Sequence, residues 1–404
     1  MITGDGAYIK KINRSLILSK IIEHSMISRA DLSKITGLNK ATISVQVASL
    51  LDEELICETK LEHHGVGRRP IMLSINKHAG YVLGIDLDYK HIQYTVSDLN
   101  GHPVHYESII LETDDYDDIV SLLIKHIKAY QSEYSTSHYG MVSVIIGIHG
   151  TVNKDESILF VPRYQWQNKS LKDDLYKELN IDISLQNNAN LSAYAERVYM
   201  HHKSNHLLCI ILSSGIGAGV MIDGKLHKGF HGYAGEMGHM IISQDGKPCR
   251  CGNHGCWELY SSEPSLFSEL AQQLGRQEIT LDDLRLLIEN KDAVTMKVFR
   301  KFINNLSIGL NNIINIYNPE TIVLTSEVLQ THPTAIEEIK SNLTSSISQY
   351  GNLFISGFGN RSCVMGACAL AIQRFLEVPK LVFMSTELDT PSYKSIEYKD
   401  EILH

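Results

Sequence analysis

The sequence predicts an α/β protein with a mixed sheet, preceded by a small helical module that includes two strands. Capped helical patterns occupy the first 54 residues, two strand patterns flank a basic turn soon after them, and strand and helix patterns alternate from Gly80 onward. The chain has 404 residues, 43% of them hydrophobic, which is enough for two or three domains with sizeable cores.

The N-terminal module contains three amphipathic or capped helical patterns, at residues 9–24, 29–36 and 40–54. Ser28 and Asn39 are good N-caps for the second and third helices, and Gly37 can end the second. A helix, a tight glycine turn and another helix predict a helix-turn-helix. Two strand candidates, at 55–59 and 71–75, flank the basic turn at 65–70. With these strands, the predicted motif is a winged helix.

The second helix of a helix-turn-helix enters the major groove of DNA with its N-terminal residues first. Candidate groove contacts are therefore Asn39, Lys40, Thr42, Ser44 and Gln46. Their amide, ammonium and hydroxyl groups can read base edges or bind phosphate, and Ser44 suits phosphate best. The wing offers Arg68 and Arg69, which suit the narrow minor groove of A·T-rich DNA. A three-helix protein–protein module is the alternative interpretation.

Charge is distributed unevenly along the chain. The net charge is −9, yet residues 1–51 contain seven basic side chains and three acidic ones, which leaves −13 for the rest. A basic module on an acidic body favours contact with nucleic acid by the module alone, although chance unevenness would look the same. No apolar run is long enough to span a membrane, and no signal peptide is evident, so we expect a cytoplasmic protein.

Three of the seven cysteines lie within eight residues, in the segment from Pro248 to Glu258. With one histidine nearby they offer four ligands to a tetrahedral zinc ion: His239, Cys249, Cys251 and Cys256. A site with all four positions filled by protein is structural. His254 is a competing ligand, and free thiols are the alternative, which close spacing without metal makes hard to maintain.

The division predicted from these patterns is a winged helix-turn-helix domain at 1–76, an α/β domain at 77–378 and a polar tail at 379–404. Within the second domain, Ser214 to Gly219 forms a glycine-rich turn after a strand at 209–212. No sequence repeat of 20–50 residues is evident.

The stretch from Gly232 to His239, followed by Cys-x-Cys-Gly-x-x-Gly-Cys, resembles the ROK family of sugar kinases and transcription repressors, and the resemblance covers most of residues 8–375. Among members with an N-terminal winged helix, it is similar to the branch that includes xylose and N-acetylglucosamine repressors. The resemblance implies that residues 77–378 form the effector and dimerisation domain, with an actin-like two-lobed sugar-kinase fold. It also implies a zinc-supported sugar site and a homodimer or homotetramer.

Carried over by position, the resemblance assigns sugar contacts to Asn187, Asn188, Glu236, His239 and Glu258. Carboxylates form strong charge-assisted bonds with hydroxyls, and a metal-bound histidine can donate from its second nitrogen.

Three positions depart from the kinase pattern. The aspartate that would deprotonate the sugar hydroxyl is Asn188, and an amide cannot take that proton. The glycine loop expected after the first strand reads Asp88 to His91, and the glycine pair after the strand at 322–324 reads Thr325-Ser326. These losses predict that ligand binding is retained and phosphoryl transfer is lost.

Two further departures concern the ligand, because His149 and Arg163 replace a proline and an asparagine of the family pattern. Arg163 could pair with an anionic ligand or make a structural contact. The function predicted is a repressor of carbohydrate-utilisation genes. It would bind an inverted-repeat, A·T-rich double-stranded operator and be released by a small sugar inducer. The alternatives are an active ATP-dependent sugar kinase with an extra domain, and an architectural DNA-binding protein.

Overall fold

A computed structural model describes residues 6–60, 70–88 and 90–383. The N-terminal module folds as predicted, with a short additional strand in its sheet. Its elements are α1 (Gly6–His24), β1 (Ile27–Ser28), α2 (Arg29–Thr36), α3 (Lys40–Asp52), β2 (Ile56–Lys60) and β3 (Ile71–Ile75). The strands form an antiparallel sheet in the order β1-β3-β2.

Local side chains set the ends of the two helices of the helix-turn-helix. The Ser28 hydroxyl accepts a hydrogen bond from the Asp31 amide at 3.1 Å, and the Asn39 side chain accepts one from the Thr42 amide at 2.8 Å. Gly37 ends α2 with a positive φ of 71°, a conformation that costs a glycine little. The predicted caps are therefore the observed caps.

The first lobe of the body is built on a five-stranded sheet in the order β11-β7-β4-β5-β6. Its strands are β4 (Tyr81–Leu87), β5 (His91–Asp98), β6 (Pro103–Ile110), β7 (Met141–Ile148) and β11 (Asp182–Asn187). Helices α4 (Tyr116–Glu133) and α5 (Leu171–Glu178) belong to this lobe, as does a small sheet of β8 (Thr151–Val152), β9 (Ile158–Val161) and β10 (Trp166–Lys169). Helix α6 (Asn188–Ala195) follows β11 directly and continues as a π-helix, Glu196–Met200.

The second lobe contains another five-stranded sheet, in the order β14-β13-β12-β15-β16. Its strands are β12 (Leu207–Ile211), β13 (Gly217–Ile222), β14 (Lys225–Leu226), β15 (Thr321–Thr325) and β16 (Asn352–Ile355). Its α-helices are α7 (Glu258–Ser261), α8 (Glu263–Leu274), α9 (Leu281–Glu289), α10 (Ala293–Tyr317), α11 (Glu327–Gln330) and α12 (Ala335–Asn342), and a 3₁₀ turn spans Met237–His239.

The two large sheets share one topology. In each, three consecutive antiparallel strands are extended on one side by two parallel strands, β7 and β11 in the first lobe and β15 and β16 in the second. This structural duplication has no counterpart in an evident sequence repeat. It gives the chain two similar lobes, which confirms the predicted mixed α/β body.

Helix α13 (Ser362–Phe375), preceded by a 3₁₀ turn at Gly359–Arg361, packs along β4 and α6. Helices α13 and α6 approach each other closely, because a Cβ at Gly366 of α13 would overlap the Leu191 carbonyl oxygen of α6. A side chain at this position would push the two helices apart.

The segment after α13 returns to the N-terminal module. The Ser15 hydroxyl of α1 donates to the Glu377 carbonyl at 2.6 Å, and Lys11 forms an ion pair with the Glu377 carboxylate at 2.9 Å. Leu381 and Phe383 are buried in the same hydrophobic cluster as Ile17 and Leu18 of α1. We call residues 376–383 the return segment. Within the described residues, no helix is long and apolar enough to cross a membrane.

Candidate functional site

The four predicted metal ligands lie together. The ligand atoms of His239, Cys249, Cys251 and Cys256 are all within 4.8 Å of one another. Cys249 Sγ is 3.6 Å from His239 Nδ1, and Cys251 Sγ is 3.6 Å from Cys256 Sγ. Tetrahedral zinc with bonds of about 2.0–2.3 Å separates its ligands by roughly 3.3–3.8 Å, so this donor set fits the ion.

His254, the competing ligand, does not belong to this group of described residues. Its side chain is exposed, and its backbone pairs with Pro248 to form the base of the loop. Gly255 turns the loop back with a φ of 78°, and a Cβ there would overlap the Ser243 carbonyl oxygen. Glycine at this position therefore lets the thiolates converge.

A fully buried tryptophan fixes the cysteine loop to the second lobe. Trp257 directly follows Cys256, and its indole nitrogen donates to the Asn305 carbonyl of α10 at 3.1 Å. A Cβ at Gly309 of α10 would overlap the Trp257 ring. The position of the ligand cluster therefore depends on close packing against α10.

The predicted sugar-facing acids flank the metal ligand His239. Its Nδ1, on the cysteine side, is 3.4 Å from Glu258 Oε1, and its Nε2 is 4.0 Å from Glu236 Oε2. Glu258 also accepts a hydrogen bond from Cys249 Sγ at 3.2 Å. Partial burial and the Glu258 carboxylate raise the pKa of Glu236. The structure thus brings these three side chains together, with the Glu236 carboxylate half-exposed.

Two glycines allow this arrangement. Gly235 precedes Glu236 with a φ of 104°, and its Cα lies against the Ala218 carbonyl of β13. A Cβ at Gly215, in the glycine-rich turn, would lie 2.9 Å from Glu258 Oε2. The turn therefore makes room for the Glu258 carboxylate, which gives its glycine a purpose other than phosphate binding.

Asn187 and Asn188 lie where β11 passes into α6. The Asn187 side chain caps α6 by accepting from the Ala189 and Asn190 amides at 2.9 and 3.1 Å, and it donates to the Gly150 carbonyl at 3.0 Å. Its side-chain oxygen and one N–H of its amide thus shape the site, and its predicted sugar contact stays a prediction. Asn188 Nδ2 lies 3.3 Å from His149 Nδ1.

His149 is the centre of a polar network in the cleft between the two lobes. Its Nε2 is 2.8 Å from Asp86 Oδ1, and its Nδ1 is 3.5 Å from Asp88 Oδ1 and 3.2 Å from Ser214 Oγ of the second lobe. Burial alone would lower the pKa of His149, but the two aspartates raise it to about 9. The sequence flagged His149 as a departure from the family pattern but did not indicate its partners.

The remaining part of the cleft is acidic and small. A cavity of roughly 80 Å³ is lined by Asp86, Asp88, Glu263 and Glu327, among other residues. Glu263 is buried and accepts hydrogen bonds from the Ser326 hydroxyl at 2.7 Å and the Val328 amide at 3.1 Å. Of these carboxylates, Asp88 lies where the family pattern predicts a glycine loop.

The predicted DNA contacts on α3 differ in their exposure to solvent. Lys40 and Ser44 are exposed, Thr42 is half-buried, and the Ser44 hydroxyl donates to the Lys40 carbonyl at 2.9 Å. Gln46 is only 4% exposed because it lies on the inner side of the helix beside Val47, so a base contact by its side chain does not fit this structure. Asn39 is occupied as the cap of α3.

Val45, which the sequence analysis overlooked, is 63% exposed on α3 and offers an apolar surface suited to a thymine methyl group. Arg68 and Arg69 of the predicted wing lie outside the described residues. Arg163 is exposed near the start of β10, and its role stays a prediction.

Comparison with known proteins gives one family. The ROK family model matches residues 82–374. The xylose repressor of Bacillus spizizenii is 36% identical over 383 residues, which cover 94% of this chain and 99% of that protein. A crystal structure of a ROK family transcriptional regulator, a homologue of the Escherichia coli Mlc protein, superimposes with a TM-score of 0.78 at 27% identity and covers 91% of this chain and 97% of that one.

A kinase shares the fold of the body. A ROK family glucokinase from Streptomyces griseus, solved with glucose and AMPPNP, has a TM-score of 0.65 at 22% identity. It covers 73% of this chain and 100% of its own.

Proposed function

Because the chain belongs to the ROK family, we propose that it is a DNA-binding repressor of carbohydrate-utilisation genes whose kinase-like body binds a sugar inducer without phosphorylating it. The observation that carries the proposal is the contrast between two groups of residues. Glu236 and Glu258 flank His239 of the ligand cluster, whereas Asn188 stands where the family pattern has the catalytic base, and Asp88 adds negative charge where the family's glycine loop would hold phosphate.

The sugar that we propose is D-xylose or a closely related pentose, because relatives at 36% identity are named xylose repressors. Glu236 and Glu258 would accept hydrogen bonds from its hydroxyls, and His239 would donate from Nε2. Asn188 would hydrogen-bond a further hydroxyl, since an amide both donates and accepts.

Zinc is the ion that the ligand cluster would hold, because three sulfurs and one imidazole are a typical structural zinc set. When bound, zinc would fix the tautomer of His239, so that Nδ1 is metal-bound and Nε2 carries the proton directed at the sugar. No chemical step of a substrate passes through the metal in this proposal.

The DNA contacts that we propose are Lys40, Thr42 and Ser44 on α3, with Val45 beside them and Arg68 and Arg69 on the wing. A dimer would place two such helices on an inverted repeat, with half-sites separated by about one helical turn or a multiple of it. The domain division at residue 76 follows from the same proposal, with the winged helix before it and the effector body after it.

The conformational effect of sugar binding would be transmitted to the DNA-binding module through two packed helices. Asn188 begins α6, α6 packs along α13, and α13 leads into the return segment, which contacts α1. The Tyr194 hydroxyl of α6 donates to Gln373 of α13 at 2.6 Å, and the Gln373 amide donates to the Pro379 carbonyl at 3.2 Å. For induction, the sugar must bind the DNA-released arrangement of these elements more tightly than the DNA-bound one.

The test is operator affinity with and without D-xylose, measured on the full-length protein at one salt concentration. We expect the sugar to weaken operator binding by about 5–150-fold, corresponding to a coupling of about 1–3 kcal/mol. Tighter operator binding with sugar would make the sugar a corepressor and reverse the proposed sign. In a parallel incubation with ATP and D-xylose, steady formation of a sugar phosphate would favour the kinase alternative instead.

A further inference from the structure

One end of the proposed sugar site is formed by the segment that contains His149. Both asparagines at the start of α6 contact this segment, Asn187 through the Gly150 carbonyl at 3.0 Å and Asn188 through His149 Nδ1 at 3.3 Å. A sugar that reaches Asn188 therefore also meets the imidazole ring.

The ring is held in place from both sides. Asp86 contacts Nε2 at 2.8 Å, while Asp88 and Ser214 lie 3.5 and 3.2 Å from Nδ1. The side chain is 15% exposed, and the raised pKa keeps it charged between the two aspartates at neutral pH. Moving the His149 side chain would separate an imidazolium from two carboxylates, which is costly. The ring therefore forms a fixed boundary, or wall, of the site.

Pentoses and hexoses in their pyranose forms share the same kinds of ring hydroxyl, and a hexose differs by an exocyclic hydroxymethyl group. Glu236, His239 and Glu258 can bind ring hydroxyls of either sugar, so these three groups do not distinguish the two classes. Discrimination must come from the surface that the hydroxymethyl group would meet.

We propose that His149 sets the size limit of the sugar site at Asn188, so that the site admits a pentopyranose and excludes a hexopyranose whose hydroxymethyl group points toward Asn188. This inference rests on the proposed function, in which a sugar occupies the site. It assigns a specificity-determining role to a position where the family pattern has proline.

The experiment is titration calorimetry of the full-length protein with D-xylose and with D-glucose. For the wild type we expect D-xylose to bind at least tenfold more tightly, since a misfit of one carbon in a shaped pocket changes affinity by about 10–200-fold. His149→Ala removes the wall, and we expect the ratio of the two affinities to fall at least tenfold, mainly because D-glucose binds more tightly.

Two variants separate size from other effects. His149→Gln keeps much of the volume and hydrogen-bonding capacity, and we expect it to retain the preference for D-xylose. His78→Ala removes an exposed histidine between the N-terminal module and the first lobe, and it should leave the ratio unchanged. Zinc content and thermal unfolding of each variant establish that the fold is intact.

The outcomes are distinguishable. If the wild type binds neither sugar, the proposed function with a pentose inducer is contradicted. If the wild type prefers D-xylose and His149→Ala keeps the same ratio, or weakens both sugars equally, only the inference about His149 is overturned, because the residue would then be structural.

Discussion

The two sides of the cleft use acidic residues in different ways. On the proposed sugar side, Glu236 is half-exposed, and its Oε2 lies 4.0 Å from His239 Nε2. On the nucleotide side, Asp86 is buried against His149, and Glu263 is bonded to the Ser326 hydroxyl and the Val328 amide. The Glu236 carboxylate is therefore accessible to a ligand, whereas Asp86 and Glu263 have partners within the protein.

Under the proposed function, this difference is how a kinase fold would lose one ligand and keep another. At the proposed nucleotide side, the carboxylates are bonded to groups of the protein itself. An unpaired buried carboxylate would be costly, so a buried acid there requires a matching donor. His149 is the donor for Asp86 and Asp88.

The largest effect is expected on the sugar side, from Cys251→Ser. Loss of one zinc ligand should lower the metal content from one equivalent per chain to a small fraction and unfold the loop around it, because structural zinc binding is coupled to folding. Sugar binding should disappear as well, since His239 and Glu258 lose their positions. Elemental analysis and calorimetry measure both quantities.

Cys57→Ser is the matched control for this change. Cys57 lies in β2, where its sulfur contacts Ser74 at 3.2 Å, and it belongs to no metal cluster among the described residues. Full metal content in Cys251→Ser would show that zinc does not depend on the four-residue cluster.

A smaller effect is expected from Glu236→Gln, which keeps the shape of the side chain and removes its charge. Losing a charge-assisted hydrogen bond of about 1.5–3 kcal/mol should weaken D-xylose binding by roughly 10–150-fold. Operator affinity without sugar should stay as in the wild type, so the variant should remain bound to DNA when the sugar is added. Operator binding in a sugar titration tests this.

Glu278→Gln, an exposed residue between α8 and α9, is the control for Glu236→Gln. If D-xylose releases Glu236→Gln from the operator as readily as the wild type, the inducer binds elsewhere.

The smallest effect concerns His149, which lies between the two sides of the cleft, and its dependence on pH. The folded-state pKa of His149 is about 9, above its ordinary value of 6.5, so its charged form stabilises the fold fully below about pH 6.5, and this contribution is lost as pH rises through 9. Between pH 6.5 and 9.5 the wild type should lose on the order of 1–3 kcal/mol more of its free energy of unfolding than His149→Gln does. Urea unfolding at both pH values measures the difference.

The ionisable contacts of His149 are Asp86 and Asp88, which lie on and just after β4. Burial and Asp86 hold the pKa of the Cys363 thiol on α13 well above its usual range. Parallel pH profiles for the two proteins would mean that His149 contributes no charge to the fold.

The parts of the molecule that the sequence predicted depend on local patterns. Helix α2 begins and ends at the predicted residues because Ser28 and Gly37 cap it through contacts within a few positions. The four metal ligands were predicted as a set because three of them lie in one short loop, and thiolates this close favour a shared metal.

The parts that it did not predict depend on contacts between distant residues. His149 is 63 positions from Asp86 and 65 from Ser214, and no local pattern relates these residues. The burial of Gln46 is a matter of helix phase, because polar residue type suggested the outer face while packing in the module placed the side chain inside. The matching topology of the two sheets was also hidden, since only backbone pairing reveals it.

The return segment has a consequence for how such proteins can be divided. Leu381 and Phe383 share a hydrophobic core with Ile17 and Leu18. The return segment is therefore part of the apolar surface against which α1 packs. A gene truncated to begin after the N-terminal module would encode a protein in which this apolar surface is exposed to solvent. Such a protein would be prone to self-association. An evolutionary exchange of DNA-binding modules between such chains would therefore have to carry compatible residues in α1 and in the return segment, so that these two distant parts of the sequence change together.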